Sequence, residues 1–209
     1  ITAIEAETTG AAVDAQESVS ATLSPGERQL LAWATDRFAL VGLDLPDVEV
    51  SFHDDGAPCS RNEGIYRDDG GLHRALICVP DHGTFASDLH RRRTLIHELA
   101  HAWERANLDD TDRERLLTVL DAESWFTSDL EWEQRGGERF AETIVWGLYD
   151  QLRRPTLIDV PCAELHADFR LITGHSAQGP IEQACEADAG DTDEQTVFRP
   201  PSSRTPDRR

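Results

Sequence analysis

Between Thr94 and Trp103 the chain carries a single charged residue, Glu98. Leu89, Leu95, Ile96, Leu99, Ala100 and Trp103 recur at helical spacing, so residues 87 to about 106 read as a helix whose uncharged surroundings put it in the interior. The same stretch holds His97, Glu98 and His101. Burying two imidazoles and a carboxylate costs several kcal/mol unless something satisfies them, and a bound metal ion would do so. Residues four apart lie on one face of a helix, so His97 and His101 can aim ring nitrogens at one ion. Glu98 then stands beside that ion, where a general base takes a proton from a water the metal has made acidic.

The rest of the chain narrows the setting. Its 209 residues allow one ordinary domain with extra segments. A net charge of −20 repels phosphate backbones and anionic lipid, which argues against nucleic acid as a partner. No apolar run is long enough for a membrane span. Cys59 with Cys78, and Cys162 with Cys185, are expected as two disulfides, each closing a loop of roughly 20 residues and contributing about 3 kcal/mol in the chain-entropy picture. Free thiols and a structural zinc cluster compete with that reading, although no C-x-x-C spacing occurs to favour the cluster. Disulfides imply an exported, extracellular location.

Residues 1–22 and 187–209 lack a core face and read as disordered or linker, which leaves residues 23–186 as the domain. Ser24, Pro25 and Glu27 spell a capping box with proline at the first helical position, followed by Leu30, Leu31, Trp33, Ala34, Phe38 and Val41 at helical spacing. Val48, Val50 and Phe52 alternate as in a strand. Ile65 and Tyr66, then Asp69-Gly70-Gly71, then the run from Leu72, read as a hairpin. Further helices are expected over 112–121, 137–153 and 162–172. The fold class is α+β: a small sheet plus a helical bundle around the helix that carries His97 and His101.

These residues resemble the active-site motif of the zincin metallopeptidases, H-E-x-x-H within uncharged neighbours. The metzincin branch needs a glycine and a third histidine where this chain has Glu104 and Asn107, and a Met-turn that a chain without methionine cannot form. The thermolysin-like, or gluzincin, branch takes a glutamate from a later helix within a pattern such as E-x-x-A-[DE], and Glu138, Ala141 and Glu142 are similar to it. The resemblance implies a zincin-like fold, one zinc per chain, Glu138 as third metal ligand, and Glu142 behind a ligating histidine to fix its tautomer. The roles of Glu138 and Glu142 could be exchanged.

The resemblance further implies a peptidase acting on peptide or protein as a monomer, with His97, His101 and Glu138 on zinc and Glu98 as base and then proton donor to the leaving amine. Tyr149, His166 and His175 are eligible to stabilise the oxyanion, and Asp121, His90, His166 and His175 are the other ligand candidates. His90 and the arginines after it are expected on a solvated face or against nearby acids. Trp125, Trp132, Trp146 and Phe126 read as core before they read as a substrate cleft. One alternative is a catalytically silent zinc-binding secreted module. Another is a peptidase held inactive by its tails.

Overall fold

The computed structural model describes residues 23–60, 62–78, 88–127, 129–149 and 157–179, and Cys185. The tails expected to be linkers, and residues 150–153 of the helix expected over 137–153, lie outside the described residues. Helix α1 (Pro25–Ala39) opens on the reciprocal cap: the Glu27 amide donates to the Ser24 hydroxyl at 3.3 Å and the Ser24 amide to the Glu27 carboxylate at 2.6 Å. Ala34 and Phe38 bury the inner face of this helix.

Strands β1 (Val48–His53), β2 (Gly64–Asp68) and β3 (His73–Cys78) form one sheet in the order β1-β3-β2. β2 and β3 are the expected hairpin, with Gly64 opposite Ile77 and Asp68 opposite His73. Its turn needs positive φ at Gly70 (73°) and Gly71 (97°), which glycine adopts without steric cost, and the Gly71 amide donates to Asp68 at 2.9 Å. β1 lies parallel to β3, Val48 opposite His73 and His53 opposite Cys78. The Cys59–Cys78 disulfide ties the segment after β1 to the end of the central strand, and Cys162–Cys185 closes the second predicted loop. Both are compatible with an exported protein. No helix among the described residues is long and apolar enough to cross a membrane.

Helix α2 (Asp88–Asn107) carries the motif and packs on the sheet with one side and on α4 (Gly136–Leu148) with the other. Leu95, Ile96, Leu99 and Ala100 from α2 meet Phe140, Ala141, Ile144 and Val145 from α4 in a core that also takes Val50, Ala75 and Ile77 from the sheet. Helix α3 (Asp110–Val119) starts two residues before the expected place, because the Asp109 side chain caps it by accepting from the Asp112 amide at 2.9 Å. A single 3₁₀ turn (Trp132–Gln134) leads into α4, and α5 (Cys162–Thr173) packs on α4. Helix α4 ends at Leu148, short of the expected 153. Tyr149 turns to extended backbone there and buries its ring edge-on against Trp33, centroids 6.1 Å apart. The arrangement is α+β, a three-stranded sheet followed by a helical half.

Candidate metal centre

Rings from α2 and a carboxylate from α4 converge at the interface of these two helices. His97 Nε2 lies 3.1 Å from His101 Nε2 and 3.2 Å from Glu138 Oε2, and His101 Nε2 lies 3.4 Å from that same oxygen. The three atoms form a nearly equilateral triangle. A tetrahedral ion with bonds of about 2.0–2.1 Å separates its ligand atoms by about 3.3–3.4 Å. Among the described residues this is the group of three that can hold a metal ion, with His97 buried and the other two half-buried.

The orientation of His97 is fixed from behind. Its Nδ1 donates to Glu142 Oε1 at 2.8 Å, which turns Nε2 towards the triangle. Glu142 is fully buried, and its other oxygen accepts from the Leu157 amide at 2.8 Å. The two glutamates left exchangeable by the sequence are therefore distinct in position: Glu138 completes the triangle and Glu142 supports the His97 ring.

Proton affinities follow from the same contacts. Burial opposes the His97 imidazolium, but hydrogen bonds to Glu138 and Glu142 and the nearby negative charges outweigh it, so the ring is pushed up to about 10. For Glu138 burial opposes the carboxylate, yet hydrogen bonds and charge from His101 and His97 hold it well below the usual carboxylate range. Burial also opposes protonation of His101, and its hydrogen bond to Glu138 raises it nonetheless. Such a cluster holds a proton where it could hold a cation, and the two compete for the same lone pairs. Glu98 differs, because burial dominates and raises its proton affinity above that of an ordinary carboxylate, against the opposing charges of His97 and His101.

Strand β2 runs alongside α2 and supplies neighbours that the sequence did not single out. Gly64 lies against Glu98, Tyr66 stacks on His101 with centroids 6.3 Å apart, and Asp68 accepts from Arg105 at 3.0 Å. The Tyr66 hydroxyl bonds to His73 Nδ1 at 2.6 Å, and burial with the charge of Asp68 pushes the phenol up to about 12, so it stays a donor. On the other flank Trp132 stacks on His97 at 5.9 Å. For Tyr66 the signal was indirect: alternation along β2 puts Gly64, Tyr66 and Asp68 on one face.

Other expected candidates have their contacts elsewhere. Tyr149 is buried against Trp33, His166 lies beside Trp146 with centroids 6.0 Å apart, His175 is exposed, and Asp121 is exposed at a φ of 46°. None of these is in the ligand triangle. His90 Nε2 lies 3.6 Å from Glu63, Arg91 donates to Asp54 at 3.1 Å, and Arg93 is buried between Glu63 and Glu142. Trp125 and Trp146 belong to the core, whereas Phe126 is exposed beneath Arg105 and Arg113. Glu104, where a metzincin has its glycine, is buried and accepts from Trp125 Nε1 at 2.9 Å. A separate open concavity of about 390 Å³, lined by Asp121, Glu123, Glu133 and Asp159 with Arg139, contains none of His97, His101 and Glu138. Comparison of the chain with known protein families, curated proteins and solved structures gives no significant match.

Proposed function

We propose that the chain is a zinc-dependent hydrolase with a zincin-like layout, cutting peptide bonds. The observation that carries this reading is the triangle of His97 Nε2, His101 Nε2 and Glu138 Oε2, with sides of 3.1, 3.2 and 3.4 Å. Two nitrogens and one carboxylate oxygen suit zinc, and three protein ligands leave a fourth position for water or substrate, as catalytic sites require and closed structural sites do not. Zinc held there would supply a Lewis acid that polarises a carbonyl and acidifies water.

The protein's own groups then divide the work. Glu98, buried and raised in proton affinity, takes the proton from the attacking water and passes it to the leaving amine. Glu142 keeps the His97 ring turned with Nε2 towards the site. With His73 Nδ1–H donating to its oxygen, the Tyr66 phenol would keep its one proton for a hydrogen bond to substrate oxygen on the β2 side. Among the described residues β2 pairs with β3 alone, and its outer edge is where an extended peptide would add as a further strand. A peptide there lies along the strand whose Gly64 and Tyr66 neighbour Glu98 and His101.

The test begins with metal content. Purified protein is expected to carry about one zinc per chain, lost in Glu138→Ala and kept in Glu98→Gln. Cleavage of a quenched-fluorescent peptide library is expected from the native chain and absent in Glu98→Gln. Zinc that persists in Glu138→Ala, or cleavage that survives Glu98→Gln, would overturn the assignment. Zinc binding without any cleavage would leave the silent secreted module as the reading that stands.

A further inference from the structure

Arg93 is 6% exposed, and the side chain it meets on α4, Glu142, is fully buried. One guanidinium nitrogen donates to Glu142 Oε1, the oxygen that also accepts from His97 Nδ1 at 2.8 Å. Another donates to Glu63 at 3.3 Å, one residue before the glycine that lies against Glu98. Arg93 precedes His97 by one helical turn on the same face of α2. A continuous chain of contacts therefore runs from Arg93 through Glu142 to the ring of a metal ligand.

Stability alone does not explain this arrangement. Exchanging a buried ion pair for apolar side chains of similar volume is often neutral or stabilising, because desolvating two charges offsets much of their attraction. A buried pair earns its place more readily when it fixes the position of something else. Glu142 on its own could accept from His97 in more than one rotamer, but the planar guanidinium and the Leu157 amide hold its two oxygens from different sides.

We propose that Arg93 is a positioning residue of the metal centre: by clamping Glu142 it sets the direction in which His97 presents Nε2. The inference rests on the reading of His97, His101 and Glu138 as metal ligands. Its role is to preorganise the site, so its removal weakens the grip on any ion that takes two imidazoles and a carboxylate, independently of turnover.

The test is a double-mutant cycle read by Co²⁺ and Zn²⁺ affinity, measured against a competing chelator, on the oxidised 209-residue chain. Outer partners of ligating histidines typically contribute about 10- to 100-fold to metal affinity. Arg93→Met and Glu142→Gln are each expected to lose affinity in that range. The double variant is expected to be no weaker than Glu142→Gln, because a neutral amide lacks the charge that draws the Arg93 guanidinium into the clamp. Should Arg93→Met leave Glu142 uncompensated and fail to fold, the comparison of Glu142→Gln with the double variant, in which that charge is gone, still decides the question. Unchanged affinity in Arg93→Met, or a double variant weakened by the product of the two losses, overturns the proposal. A native chain that binds neither ion overturns instead the metal-site reading beneath it.

Discussion

Gly64 shows how a residue acts by what it lacks. Its φ is not in the left-handed region, so the backbone does not require glycine. Space does: a Cβ would overlap the Glu98 carboxylate and come within 2.7 Å of Thr94 Cγ2. Gly64→Ala is therefore expected to displace the carboxylate while leaving His97, His101 and Glu138 in place. Turnover of the peptide library should fall at least about tenfold and zinc content should hold, with a stability loss of about 1–3 kcal/mol from overpacking. Full activity in that variant, with urea unfolding unchanged, would remove Glu98 from the role of base at this position. The motif itself was legible because His97, Glu98 and His101 are adjacent in sequence. Arg93 was legible only in part: the run of arginines was expected on a solvated face or against nearby acids, and the fold buries one of them between Glu63 and Glu142.

Among the elements, those governed by local chemistry match the sequence closely. The capping box starts α1, and the Asp69-Gly70-Gly71 turn closes the hairpin of β2 and β3. What local patterns could not reveal is that β3 lies between β2 and β1, pairing parallel with β1. Alternation along β1 marks a strand with one buried face but names no partner. The packing of α4 on α5 has a similar dependence on a distant residue. A Cβ at Gly147 would sit inside the ring of Phe169, so Gly147→Ala is expected to destabilise by about 1–3 kcal/mol, visible as a lower urea midpoint with an unchanged slope. An unchanged midpoint would mean that α5 can move off α4 at little cost.

At the scale of the whole molecule, metal binding and folding should be linked through protons. His97 has a pKa raised from 6.5 to about 10, so its contribution to the metal-free fold is complete below 6.5 and lost as pH rises towards 10. Glu138 is lowered from 4.5, so its contribution is present above 4.5 and lost as pH falls below it. The metal-free chain thus draws most from this cluster between 4.5 and 6.5. An ion must displace the protons, which becomes easier as pH rises. The difference in Tm between zinc-loaded and chelator-treated protein is expected to widen from about pH 6 to about pH 9. A gap independent of pH would show that protons and metal do not share these atoms.

The sequence by itself determined the helix that bears the motif, the hairpin and the capped first helix, because each is written in neighbouring residues; for the cysteines it favoured two disulfides over free thiols or a zinc cluster, and the structure has Cys59–Cys78 and Cys162–Cys185. The sequence also named Glu138 and Glu142 as the carboxylates to watch. Only the tertiary structure decided between them: Glu138 Oε2 reaches both histidine Nε2 atoms, whereas Glu142 Oε1 meets His97 Nδ1. It likewise brought Tyr66 and Trp132 against the histidine rings from segments about 30 residues away on either side. The physical reason is one of range. Caps, turns and helical faces are set by contacts within a few residues, while a ligand triangle is set by how two helices pack, and that depends on the core they share.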